Sequence, residues 1–99
     1  MQPEPAADSE FIDAVTHIES RLDGVVDHGN DDELFLASYL QGHFAVIARK
    51  QEMDAQATVA TLHTEMQQSL DAAFARGELE IVDQQRVVAL WQKLVREAR

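Results

Sequence analysis

The sequence predicts an all-α protein, an up-and-down four-helix bundle with helices over residues 9–28, 31–51, 54–76 and 81–98. Three observations lead to this fold class. Apolar residues recur at spacings of three and four along most of the chain, which places them on one side of a helix. Both prolines lie among the first five residues, so proline interrupts none of these segments. No stretch alternates apolar and polar residues for long enough to form a strand.

Short links between consecutive helices favour antiparallel neighbours, and each apolar stripe approximates the seven-residue repeat of left-handed bundle packing. A chain of 99 residues is long enough for one core. We therefore expect a single bundle domain over residues 8–99, preceded by a flexible tail over residues 1–7. An alternative with the same helices is a three-helix core with one terminal helix docked on another copy of the chain as a dimer.

The first helix is predicted from one apolar stripe. Its members follow one another at spacings of four, three, four and three residues and are Phe11, Val15, Ile18, Leu22 and Val25. Gly29 is expected to stop this helix in the left-handed conformation, which glycine adopts without strain. Asn30 then begins the second helix as an N-cap, and Glu33 can reach back to the Asn30 amide as its partner in a capping box.

The second helix is apolar over more than half of its circumference and is predicted to be the most enclosed of the four. Its central stripe consists of Leu36, Tyr39, Leu40, His43 and Ile47. Further apolar residues flank this stripe on both sides, namely Phe35, Phe44 and Val46. A helix with such a wide apolar surface is typically surrounded by others.

The third helix is predicted to begin at an Asp54 N-cap and to end at Gly77. Its inward stripe consists of Ala55, Val59, Leu62, Met66, Leu70 and Ala73. A short link leads to the fourth helix, whose inward residues are Val87, Leu90, Trp91, Leu94 and Ala98. At the centre of this last stripe, Trp91 is expected to be a core residue.

Charge limits the classes of partner. The net charge is −10, from 18 acidic against 8 basic residues, and residues 1–33 hold ten of the acids. Such a chain repels phosphate backbones and anionic lipids, so we expect neither nucleic acid nor membrane as a partner. Basic protein surfaces remain as candidates.

The chain contains no cysteine, which removes disulfides, thiolate metal sites and cysteine nucleophiles together. The N-terminal residues contain no apolar leader, and the longest aliphatic run, residues 44–48, is far shorter than a membrane span. We therefore expect a soluble, cytoplasmic protein.

Two histidines frame the acidic start of the second helix, His28 and His43. They lie too far apart to share one metal ion, because 12 helical residues span roughly 18 Å and zinc–nitrogen bonds are about 2 Å long. The three acids at 31–33 are explained by the first helical turn, which favours anions, and His28 by the end of the preceding helix, which favours cations. The sequence lacks the residues that an EF-hand or a diiron bundle requires. We therefore predict no metal and no cofactor.

His43 is predicted to lie near the middle of the apolar side of the second helix, with Tyr39 one turn away. Antiparallel packing brings His63 of the third helix to the same height. A buried imidazole needs a hydrogen-bond partner. His43 is therefore interpreted first as a core histidine with a satisfied ring, and Tyr39, His43 and His63 together form the candidate ligand-binding or pH-sensing site.

Two surfaces are candidates for partner binding. Asp13, Asp23 and Asp27 share the solvent side of the first helix, with His17 one turn from Asp13, and basic residues of the fourth helix are expected to complement these acids in part. Gly42 lies in mid-helix, where glycine costs about 0.5–1 kcal/mol relative to alanine. It is interpreted either as a close helix crossing or as an opening where a partner meets the backbone.

No nucleophile–base arrangement and no phosphate-binding glycine loop is apparent in the sequence, and we predict no enzymatic activity. Several short segments nevertheless resemble one family. They are "DGVVDH" (23–28), "DDELF" (31–35), "YLQGH" (39–43), "QSL" (68–70), "GEL" (77–79), "DQ" (83–84) and Trp91. With these segments the chain resembles, over roughly residues 23–95, the YfcL family of small bacterial proteins. The resemblance implies a small cytoplasmic helical protein and adds no activity, cofactor or functional residue.

These observations predict a non-enzymatic interaction or adaptor protein. Its protein partner would be basic and would dock on the acidic side of the first helix or near Gly42. The alternative is a ligand-, metal- or pH-responsive module built on the layer of His43 and His63. We expect a monomer or a weak homodimer.

Overall fold

The computed structural model describes residues 6–98, which form four α-helices: α1 (Ser9–His28), α2 (Asp31–Glu52), α3 (Val59–Ala75) and α4 (Ile81–Ala98). No strand occurs within this range. The predicted all-α four-helix fold is therefore confirmed. Residues 1–5 of the predicted tail lie outside the described residues.

The core lies between the inward sides of all four helices. Both α2 and α4 pack against each of the other three helices. Trp91 is fully buried, as predicted, and its ring lies 5.9 Å from that of Phe44. Fully burying an apolar side chain of this kind stabilises a fold by about 1.5–3 kcal/mol. The largest fully buried residues are Trp91, Phe11, Phe44, Ile18, Leu22, Leu40, Leu62, Met66, Leu70, Leu94, Val15 and Val87.

The link between α1 and α2 contains the predicted capping box. The Asn30 side chain accepts from the Glu33 amide at 2.9 Å, and the Glu33 carboxylate accepts from the Asn30 amide at 3.3 Å. The predicted left-handed conformation of Gly29 is wrong, since its φ is −76° and its ψ 164°. Glycine is required there for space, because a Cβ would lie 2.6 Å from the Val25 carbonyl oxygen. Gly77, at φ 77°, does adopt the left-handed conformation after α3.

The start of α3 differs from the prediction. The N-cap is Thr58 rather than Asp54, and the Thr58 hydroxyl accepts from the Thr61 amide while the Thr61 hydroxyl accepts from the Thr58 amide. The Asp54 carboxylate instead accepts from the Gln56 amide at 2.8 Å. Aspartate commonly binds the backbone two residues ahead in this way, which stabilises a turn before the helix.

The segment that precedes α1 is attached to the bundle from Ala7 onwards. Ala7 is buried, and its amide donates to the Glu52 carbonyl at the end of α2, at 2.9 Å. Asp8 then caps α1 by accepting from the Phe11 amide. The N-terminal end of α1 is therefore held close to the link between α2 and α3.

The buried side of α2 is rotated relative to the prediction. It consists of Ala37, Leu40, Phe44, Ile47, Ala48 and Gln51. Tyr39 and His43 lie at its edge and are half-buried, so the predicted central position of His43 is wrong. Small side chains such as the two alanines allow neighbouring helices to approach closely, which turns their side of α2 inward. Phe35 and Val46 consequently remain in solvent, 42% and 71% exposed.

Candidate functional site

A groove of about 660 Å³ lies where the first turns of α1 and α3 meet the last turn of α4. We call it the acidic groove. Its apolar lining consists of Phe11, Ala14, Ala57, Val59, Ala60 and Ala98. Its polar lining consists of Asp8, Glu10, Asp13, His17, Thr58 and Glu97. Four of the six apolar residues are alanine, so the helix ends converge here without side chains large enough to fill the space between them.

The acidic groove carries four carboxylates, and His17 is the only basic side chain in its lining. Glu97 is paired with Arg21 at 3.0 Å, and His17 lies 3.8 Å from the same carboxylate. Among residues 6–98, Glu10 and Asp13 form no ion pair. Asp8, which caps α1, forms no ion pair either, so the groove has three carboxylates whose charge is not compensated by a described cation.

Only part of the predicted acidic side of α1 belongs to this groove. Asp13 and His17 line it, whereas Asp23 and Asp27 lie about 15 and 21 Å farther along the helix at 1.5 Å per residue. The Asp23 carboxylate accepts from the Gln41 side chain at 2.7 Å, which fastens α1 to α2. Glu10 and Glu97 are groove residues that the sequence did not single out, because they come together only when the ends of α1 and α4 are packed.

The expected pairing of acids on α1 with bases on α4 is wrong. Within the described residues, the ion pairs between these helices have the opposite polarity, since Arg21 and His17 of α1 approach Glu97 of α4. Glu19 of α1 is paired instead with Arg49 of α2. Asp13 is consequently left without the basic neighbour that the sequence had predicted.

The two central histidines are engaged by different partners. His43 Nδ1 lies 2.8 Å from the Ser69 hydroxyl, and its ring lies 4.9 Å from that of Tyr39. His63 Nδ1 accepts from the Trp91 indole N–H at 3.0 Å. Because tryptophan can only donate, a neutral His63 must carry its proton on Nε2. Among the hydrogen bonds of residues 6–98, none joins His43 to His63.

The pair of Ser69 and His43 resembles a nucleophile beside a base, and the sequence did not single out Ser69. Antiparallel packing could have indicated the contact, since both residues lie about ten positions from the link between α2 and α3. Both lie in mid-helix, where backbone amides donate to their own helix. The pair therefore lacks the free backbone donors that stabilise an oxyanion during acyl transfer.

Tyr39 connects α2 to the link between α3 and α4. Its hydroxyl donates to Glu78 at 2.9 Å, and Arg76 donates to the other oxygen of the same carboxylate. Burial, followed by the hydrogen bond and charge of Glu78, raises the pKa of Tyr39 to about 12. The hydrogen bonds from Arg76 and then Tyr39 lower the pKa of Glu78. Tyr39 is therefore a neutral donor over the physiological pH range.

Gly42 lies in open surroundings. A Cβ built at this position would meet no atom within 4 Å, so no helix crosses α2 closely there. A shallow groove of about 420 Å³ runs beside it, lined by Tyr39, Gly42, His43, Val46, Ile47 and Ser69. The predicted close helix crossing at Gly42 is therefore wrong, and packing within the bundle gives no reason for a glycine at this position.

Gln51 is the one buried polar residue among residues 6–98. Its amide donates to the Thr61 carbonyl at 3.1 Å and to Glu65 at 2.9 Å, and its oxygen accepts from the Thr61 hydroxyl. The hydrogen bond from Gln51 is the main reason why the pKa of Glu65 is lowered. Gln51 therefore joins the end of α2 to the first turns of α3.

Residues 6–98 contain neither a group of metal-binding side chains nor a helix that could cross a membrane. No three or more histidine, aspartate and glutamate side chains in this range are grouped so that they could hold a metal ion. None of the four helices combines the length and apolar character that a membrane crossing requires.

Comparisons with known proteins confirm the family resemblance that the sequence indicates. The YfcL protein family matches residues 10–96, a range that includes almost all of α1. The chain is 38% identical over 88 residues to "Uncharacterized protein YfcL" of Escherichia coli (strain K12), a match that covers 85% of this chain and 96% of that protein. No solved structure matches the chain at a significant level.

Proposed function

The chain belongs to the YfcL family, and from this premise we propose that it is a non-enzymatic protein-interaction module whose acidic groove binds a basic segment of a partner protein. One observation carries the proposal: an alanine-rich groove contains three carboxylates, those of Asp8, Glu10 and Asp13, that form no ion pair with a described cation. A cytoplasmic location suits a chain without cysteine.

The composition of the groove fits lysine or arginine better than other side chains. Both have a long apolar stem that can lie on alanine methyl groups while the charged end reaches a carboxylate. Hydrogen bonds between such a cation and a carboxylate are stronger than those between neutral groups. The groove volume of about 660 Å³ also lies within the range of pockets that bind small groups.

The charge of the whole chain supports the same class of partner. A net charge of −10 attracts a basic segment before contact and repels nucleic acid and anionic lipid. Exposed ion pairs contribute only about 0–1 kcal/mol each, so the apolar lining has to supply part of the affinity. Binding should therefore weaken at high salt, and it should also require a side chain with an apolar stem.

The proposal is tested with the tagged full-length chain and the Asp13→Lys variant in pull-downs from the native cell, with identification by mass spectrometry. Asp71→Lys is the matched control, because it makes the same change in charge at an exposed position of α3 outside the groove. We expect proteins recovered by the wild type and by Asp71→Lys to be lost with Asp13→Lys. Equal recovery by all three proteins would contradict a role for the groove.

A ligand-, metal- or pH-responsive module built on His43 and His63 is the alternative, and the geometry supports it less. Each imidazole already engages a partner on another helix through Nδ1, so only Nε2 of each ring is left for a ligand. An NMR titration separates the two functions. The groove proposal expects shifts at Asp13 and His17 on addition of the recovered partner, whereas the alternative expects shifts at His43 and His63 on addition of Zn²⁺.

A further inference from the structure

One side of α2, from the edge of the core at Tyr39 to open solvent at Val46, carries a short apolar stripe. It consists of Phe35, Tyr39, Gly42 and Val46, which follow one another at spacings of four, three and four. At 100° per residue these four positions fall within about 60° of one another around the helix. We call this set the outer stripe. Val46 is exposed almost completely for an aliphatic residue, and Gly42 is exposed as well.

The fold of one copy explains Tyr39, which packs against the core, but it does not explain Gly42 or Val46. Glycine in a helix interior lowers helix stability relative to alanine, and no atom within 4 Å of a Cβ at Gly42 would oppose alanine there. Val46 is 71% exposed and so adds little packing to the bundle, and Phe35 is 42% exposed. Along this line a small residue, Gly42, lies between two large ones, Tyr39 and Val46. Such an arrangement is typical of a helix surface that packs against another helix.

We propose that the outer stripe pairs with the outer stripe of a second copy of this chain, with the two α2 helices antiparallel. The spacing of four, three and four reads the same in both directions, so a two-fold axis between positions 40 and 41 superposes the stripe on itself. Phe35 of one copy then lies beside Val46 of the other. Tyr39 lies over the hollow at Gly42, so a large side chain meets a small one twice.

Charges at the two ends of the outer stripe favour the same direction. The antiparallel arrangement places Asp31 and Asp32 of one copy against Lys50 and Arg49 of the other. A parallel arrangement would bring like charges together. The acids lie near the positive end of the α2 dipole and the bases near its negative end, so the distribution that stabilises the helix also makes its two ends complementary. Arg49 and Lys50 are both exposed, although each forms an ion pair within the bundle.

The expected complex is a weak, concentration-dependent homodimer. One pair of helices buries less than the total of about 1,600 Å² that is typical of stable complexes. None of the residues that line the acidic groove belongs to α2, so this pairing leaves the groove open. A dimer would present two acidic grooves. The proposed pairing does not depend on whether those grooves bind a basic segment.

Analytical ultracentrifugation of the full chain at increasing concentration tests the pairing, with Val46→Glu as the disrupting variant. Ile81→Glu is the matched control, since Ile81 is 70% exposed and Val46 71%, and Ile81 lies on α4. We expect Val46→Glu to weaken dimerisation about tenfold or more, because a symmetric interface carries the charge twice. Equal dimerisation of both variants, or a wild type that stays monomeric up to about 1 mM, would overturn the proposal.

Gly42→Leu separates the pairing from effects on folding. Leucine favours helix more than glycine, Gly42 is exposed, and a Cβ there meets no atom within 4 Å, so the variant should unfold at higher urea concentration than the wild type. It also fills the hollow for Tyr39 of the second copy, so dimerisation should weaken about tenfold. Dimerisation that is unchanged or stronger in this variant would contradict the pairing.

Disulfide trapping determines the direction, because the natural chain has no cysteine. Phe35→Cys and Val46→Cys chains are oxidised separately and as a mixture. In the antiparallel pair, two residues 35 are separated by about 16 Å along the axis, beyond the roughly 7 Å limit between disulfide Cα atoms. We expect mixed dimers to form rapidly and each variant alone to cross-link slowly. Rapid cross-linking of Phe35→Cys alone would refute the antiparallel arrangement.

Discussion

Replacing His63 by alanine tests the role that the structure gives this histidine. The indole N–H of Trp91 donates to His63 Nδ1 at 3.0 Å, and the Trp91 side chain is fully buried. The two rings are also nearly parallel, with centroids 6.2 Å apart. Alanine would leave the indole N–H without its acceptor and would remove the ring contact. His63 is therefore expected to contribute to stability, whether or not it contributes to binding.

The expected loss follows from these two contacts. An unsatisfied buried donor costs about 1–3 kcal/mol, and an aromatic contact contributes about 0.5–1.5 kcal/mol. We therefore expect His63→Ala to lower the free energy of unfolding by about 2–4 kcal/mol. For a domain of this size, such a loss lowers Tm by at least about 8 °C. This is a large part of the stability of a small domain.

Urea denaturation at pH 7, followed by far-UV circular dichroism, measures the loss in His63→Ala, Trp91→Phe and the double variant. Thr64→Ala is the control, an exposed neighbour on the same helix for which a change within about 0.5 kcal/mol is expected. Because phenylalanine has no N–H to leave unsatisfied, the double variant should lose about 1 kcal/mol less than the sum of the single losses. Strict additivity, or a His63→Ala loss no larger than that of Thr64→Ala, would refute this account of His63.

Three further predictions concern single residues. The absorbance of the only tyrosine should titrate with a midpoint of about 12 in the folded chain, and Glu78→Gln should lower that midpoint; a midpoint near 10 in the folded chain would contradict the contact. Gln51→Ala should cost about 2–4 kcal/mol in urea denaturation, since about three hydrogen bonds of roughly 1 kcal/mol are lost; a cost below about 0.5 kcal/mol would exclude the joining role. Gly29→Ala should lower Tm because its Cβ would lie 2.6 Å from the Val25 carbonyl oxygen, and Gly24→Ala, which meets no atom within 4 Å, should not.

Several features of the fold could be predicted because their causes are local. The spacing of Phe11, Val15, Ile18 and Leu22 places them on one side of α1 whatever surrounds it, and all four are buried. The Asn30 capping box involves residues only three apart, so its hydrogen bonds form with the helix itself. The start of α3 was misplaced because Asp54 and Thr58 are both good caps, and only packing of the link distinguishes them.

The candidate site could be predicted only in part. Asp13 and His17 were identified from their positions on α1, and Gly42 from its unusual place in a helix. Glu10, Glu97 and the alanine lining were not identified, because nothing in their local sequence differs from an ordinary helix surface. The approach of His43 to His63 was inferred from their common height, but rotation of the helices gave each imidazole another partner.

The sequence by itself determined four amphipathic helices, their short links, the acidic character of the chain and its family. These properties depend on side-chain spacing, caps and composition, which act over a few residues. The tertiary structure alone decided which side of α2 faces solvent, which residues meet at the acidic groove and which acids lack a cation. Those outcomes depend on how helix ends converge and how far each helix is rotated about its axis. Both are set by packing among residues far apart in the chain, such as Phe44 and Trp91.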